Sequence, residues 1–90
     1  MNEFYQFLIL IGYSSNTNNT TSSGYPGSAE DYRNDVQLLL GKGTIINDVD
    51  HGNDLILNAM VGATRNQISA LRKFNDYITQ LRPRKFPYTV

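Results

Sequence analysis

His51, the lone histidine of the 90-residue sequence, sits among Asp48, Asp50 and Asp54. An imidazole beside carboxylates is the raw material of general acid–base catalysis or of a hydrolytic triad. A triad also needs an activated nucleophile, and here there is neither a cysteine nor a G-x-S-x-G turn. A calcium loop starting at Asp48 would put Asp or Asn at its fifth position, Gly at its sixth and Glu at its twelfth. The chain has Gly52, Asn53 and Ala59 there. Zinc held by protein needs about three or four N or S ligands, and one histidine without cysteine does not supply them. Gly41-Lys42-Gly43-Thr44 has the residue types of a phosphate loop in the wrong spacing, and reads as a helix C-cap and turn. Asp50, Asn53 and Asp54 are accounted for as groups that cap and charge the start of a helix. No enzymatic activity, cofactor or metal is therefore expected.

The C-terminal stretch offers binding chemistry instead. Arg82, Arg84 and Lys85 stand beside Phe86 and Tyr88, and Pro83 and Pro87 keep the backbone extended. Cations interleaved with aromatics can grip a phosphate backbone and stack on bases. The same residues can dock as an extended peptide in a neighbour's groove, a mode favoured by proline preorganisation. The charge distribution is polar. Residues 1–54 carry net −5 and residues 55–90 net +5, in a chain of zero formal net charge. The halves can neutralise each other or attract opposite partners. A near-neutral chain argues against a dedicated nucleic-acid binder, so protein partners are expected and nucleic acid is the alternative.

At the other end, residues 4–13 are apolar on every side. Aromatic and β-branched content favours a buried strand, with a short buried helix as the alternative that periodicity does not separate. Ten residues are too few to span a bilayer, which takes about 20, and Glu3 stands where a signal peptide would be positive. The segment needs a cover, which makes Phe4, Phe7, Leu8 and Leu10 candidate partner contacts. Residues 14–27 are rich in Ser, Thr, Asn and Gly and read as a flexible linker with a span of roughly 20 Å. Asn18 and Asn19 each begin a glycosylation-like triplet, of little weight in so Asn/Thr-rich a stretch.

The middle is helical by pattern. Ser28 is a suitable N-cap with Asp31 three residues on, Tyr32, Val36, Leu39 and Leu40 share a face, and Gly41 follows, which predicts a helix over 29–40. A second helix is expected over about 53–81, ended by Pro83 and weakened at Gly62. Met60, Gln67, Phe74 and Leu81 fall at heptad position a; Ile56, Ala63, Ala70 and Tyr77 at d. This apolar seam makes Gln67, Leu71 and Phe74 candidate contacts, with Gln67 as a buried polar group that bonds a neighbour or the backbone.

The expected fold is mainly α: a small helical hairpin (29–40 and 53–81) with an apolar N-terminal arm over 1–13, the linker over 14–27, a helical region over 28–82 and an extended basic and aromatic tail over 83–90. The expected role is a non-catalytic structural or assembly subunit bridging neighbours, itself included, through Phe4, Phe7, Leu8, Leu10, Gln67, Leu71, Phe74, Arg84, Lys85, Phe86 and Tyr88. A small virion protein (minor capsid, cement or tail) or an accessory subunit of an intracellular complex fits that pattern. The alternatives are a nucleic-acid-binding accessory protein and a membrane-associated subunit that dips residues 4–11 into lipid without spanning it.

Overall fold

The apolar periodicity over 53–81 breaks at Gly62, and the computed structural model shows why. Gly62 takes φ +79°, a left-handed value that ends a right-handed helix and suits glycine alone. Two residues later the Thr64 hydroxyl accepts the Gln67 backbone N–H at 3.2 Å, and the Gln67 side chain accepts the Thr64 N–H at 2.9 Å. This capping box starts a new helix. The single helix expected over 53–81 is therefore two. The structure describes residues 1–15, 28–81 and 86–90. The linker core, both glycosylation-like triplets and Arg82 to Lys85 lie outside them.

Six elements and one wide turn follow in order: α1 (Asn2–Leu10), α2 (Ala29–Leu40), β1 (Ile45–Ile46), α3 (Val49–Met60), α4 (Arg65–Asp76), a π-helical turn (Tyr77–Leu81) and β2 (Tyr88–Thr89). The fold is mainly helical, as the apolar spacing implies. The segment that composition favours as a strand is the helix α1. Its backbone groups bond within the segment, whereas a strand would need a partner edge, and the two-residue β1 already pairs with β2. The helical turn also stacks Phe4 over Leu8, both fully buried. Behind α1, Gly12 at φ +114° turns the chain, and Tyr13 N–H bonds the Leu8 carbonyl at 3.0 Å.

Helix α2 starts where its cap is: Ser28 Oγ accepts the Asp31 N–H at 3.1 Å, and Glu30 and Asp31 face the positive helix end. Ala29 N–H also bonds the Ser14 carbonyl at 2.8 Å, which pins the end of α1's exit turn to the start of α2. Tyr32, Val36 and Leu40 form its buried face. Helix α3 begins at Val49, four residues before the expected start, because Asp48 is the cap. Gly52 on α3 is set by close packing against the core. A Cβ there would lie 2.6 Å from Ile78 Cδ1 and 3.1 Å from Ile46 Cγ2.

Helix α4 is central: α2 and α3 both pack on it, and α1 packs on α2. Phe4 meets Phe74 edge-on at 5.1 Å between ring centroids, with Tyr77 5.8 Å from Phe4 and Tyr88 5.9 Å from Phe74. These separations fall in the favourable range for aromatic pairs. Where α4 widens into the π-turn, the Thr79 hydroxyl donates to the Asn75 carbonyl at 2.7 Å, a back-bond of the kind that bends helices. The C-terminal residues then return to the core. Ile45 pairs with Thr89 and Ile46 with Tyr88 in antiparallel register, Gly43 N–H bonds the Val90 carbonyl at 2.9 Å, and Val90 N–H bonds the Thr44 carbonyl at 2.8 Å.

Removing the central ring should be costly. We expect Phe74→Ala to lose about 3–5 kcal/mol, read from urea denaturation. A chain ended at Leu81 should also unfold at a lower urea midpoint, because it lacks Tyr88, Val90 and the partner of β1. A midpoint unchanged by that truncation would mean that the tail is not part of the core.

Candidate partner-binding surface

The residues singled out as contacts divide sharply by depth. Phe4, Leu8, Leu71 and Phe74 are fully buried, and Tyr88 is nearly so. They are committed to the chain's own core and reach a partner only if the chain opens. Phe7 is half-buried, its ring 5.4 Å from Tyr77. Phe86 is half-buried against the same core. Leu10, one turn beyond Phe7, is 84 % exposed. Gln67 does bond a backbone group, but as the third residue of α4 in its capping box and not as a register-setting group inside a seam. Arg84 and Lys85 lie outside the described residues.

The acidic cluster resolves into a cap and two outward carboxylates. Asp48 Oδ1 accepts the His51 N–H at 2.8 Å, and His51 Nδ1 accepts the Asn47 N–H at 3.0 Å. The imidazole thus completes the start of α3, and it does so with Nδ1 unprotonated. Asp50 and Asp54 point into solvent. Among the described residues, no three His, Cys, Asp or Glu side chains converge to hold a metal ion. No helix among them is long and apolar enough to cross a membrane.

Two outward features remain. The first is an open cleft of about 360 Å³ between Tyr13 and Tyr32 on one side and Ser69, Arg72, Lys73 and Asp76 of α4 on the other. Its charge is mixed: Lys73 lies 4.0 Å from Asp76, so half of its cationic character is answered locally. The second is apolar. Leu10, Leu38, Ile45, Leu57 and Val61 all stand more than half exposed. Leu57 continues the line of Asp50 and Asp54 along α3, the three sharing a stripe about 60° wide on a helix that advances 100° per residue, and Val61 is the extended residue that follows the helix's last turn. The opposite face, through Gly52 and Ile56, is buried. Leu57 and Val61 are not among the contacts the sequence suggests, because tertiary packing sets which face of α3 is buried. The chain matches no protein-family model, no curated protein and no solved structure, so its surface is read from its own chemistry.

Two outcomes follow. Thr64→Ala and Gln67→Ala should each lower stability by about 0.5–2 kcal/mol, and the double variant should cost less than the sum, since both break one box. A Gln67→Leu variant that unfolds at a higher temperature would contradict the capping role. The second outcome concerns Tyr88, whose hydroxyl titrates well above its ordinary value near 10, mainly because it is buried, with Tyr77 and Glu3 adding to the rise. A tyrosine raised in the folded state holds its proton longer than in the unfolded chain. The stability tied to it is full below pH 10 and is lost as pH climbs beyond. Denaturation series across that range should show the fall, and Tyr88→Phe should flatten it.

Proposed function

We propose that this chain is a non-catalytic structural or assembly subunit of a larger complex, and that it meets protein neighbours through the outward side chains of its helices. One observation carries the reading: among the described residues, Leu10, Leu38, Ile45, Leu57 and Val61 stand more than half exposed outside the packed internal core. Single exposed apolar residues are ordinary on any protein, but a stripe rimmed by charge is the anatomy of a contact surface. Leu57 and Val61 are the centre of that surface, with Leu10 at the tip of α1 as a separate contact. A virion, as a minor capsid, cement or tail protein, and an intracellular complex are the settings that suit so small a subunit. The basic side chains supply a second reading, since Arg65 and Arg72 are exposed one above the other along α4.

The test is recovery of the tagged chain from its native source with its complex intact. We expect partner proteins in fixed ratio. Leu57→Asp with Val61→Asp should reduce them at least about tenfold, since a charge in a desolvated contact is strongly penalised, while circular dichroism stays native. Full recovery with the double variant would remove this surface. Recovery of nucleic acid in its place, released steeply by salt and lost in Arg65→Ala with Arg72→Ala, would install the second reading.

A further inference from the structure

We propose that the open cleft beside α4 binds a small carboxylic acid built on a ring, with its carboxylate on Arg72. The site goes beyond the assembly role and does not depend on it. Helix α4 supplies one wall. Ser69, Arg72, Lys73 and Asp76 recur three or four residues apart, which places them on one face of the helix. The other wall is the pair Tyr13 and Tyr32, with ring centroids 4.9 Å apart. The volume, about 360 Å³, suits a small molecule.

Charge selects the acid group. Lys73 is answered by Asp76 at 4.0 Å. Arg72 is exposed and, among the described residues, enters no ion pair. The cleft therefore carries one uncompensated positive charge, which matches a carboxylate better than a doubly charged phosphate. A guanidinium also takes a carboxylate through two parallel hydrogen bonds. The tyrosines select the rest of the ligand. At 5 % and 2 % exposure, Tyr13 and Tyr32 offer the cleft little more than ring edges. Those edges are the positive part of the aromatic quadrupole and sit well against the face of another ring. Asn75 lines the cleft too, and its buried Oδ1 has no hydrogen-bond partner. Such atoms are rare in folded chains and call for an occupant. A turn about the soft terminal torsion of that side chain brings the oxygen to the cleft, where a hydroxyl on the ligand's ring satisfies it.

Titration of the isotope-labelled full chain, followed by NMR, reads the site. The probes are benzoate, its three hydroxy derivatives, benzamide, acetate and phenyl phosphate, all at one ionic strength. Benzoate should shift the Ser69, Arg72 and Asn75 amides saturably. Benzamide, which lacks the charge, and acetate, which lacks the ring, should each bind at least about tenfold more weakly. At least one hydroxybenzoate should bind more tightly than benzoate and lose that advantage in Asn75→Ala. Arg72→Gln should weaken benzoate at least about tenfold with circular dichroism unchanged. Arg65→Gln, at another exposed cation of α4 that lies outside the cleft, should leave binding as it was. Ser69→Leu, which fills the cleft, should abolish it. Acetate that binds as well as benzoate, phenyl phosphate that binds more tightly, or equal losses from Arg72→Gln and Arg65→Gln would overturn the proposal.

Discussion

Phe4 and Phe74 touch edge to face at 5.1 Å, and most of the architecture is organised around that contact. It joins α1 to the last turn of α4 across some seventy positions of sequence. Phe7 and Tyr77 extend the aromatic cluster on the α1 side, and Tyr88 closes it from the C-terminal strand, with Tyr77 and Tyr88 rings 6.0 Å apart. Three remote segments therefore share one set of rings. A chain of this length buries only a modest fraction of its surface and has no disulfide to compensate. Aromatic side chains are an efficient answer, because each buries a large area with few rotatable bonds.

That arrangement explains why the two apolar ends are short of free surface. Phe4, Leu8 and Tyr88, which look like docking residues when read in order, are the inner wall of the chain's own core. The helical form of α1 and the pairing of β2 with β1 answer the same requirement: backbone amides near an apolar core must be bonded. Among the described residues, the outer face of α3, the tip of α1 and the basic flank of α4 are exposed, as are Leu38 and Ile45. Negative charge is also concentrated on the surface of α2. There Asp35 binds its proton more readily than its ordinary value of 3.8 implies, first through partial burial and then through Asp31.

Much of this was legible before any coordinates. Helix α2 runs over Ala29–Leu40, the span that its cap, apolar face and closing glycine announce, because local signals agree there with tertiary packing. The division of the second helical region was half legible. Gly62 was recognised as a weak point, but Thr64 and Gln67 form a capping box, and placing Gln67 in a heptad seam hid that box. A heptad pattern persists through a break when both helices bury the same side. Two features were not legible. An all-apolar segment carries no period, so α1 could not be told from a strand. The return of Tyr88 and Val90 to β1 depends on long-range pairing, for which no local signal exists. The exposure of Leu57 and Val61 follows only from the buried face of α3, through Gly52 and Ile56, which local sequence does not set.

Helix α1, residues 2–10, is an integral part of the folded core. Native-state hydrogen exchange on the isolated chain tests it directly. Amides in the interior of α1, around Leu8, should be protected to nearly the same free energy as those of α4 around Phe74, because both open only when the shared aromatic cluster comes apart. Rapid exchange throughout α1, with α4 still fully protected, would contradict it.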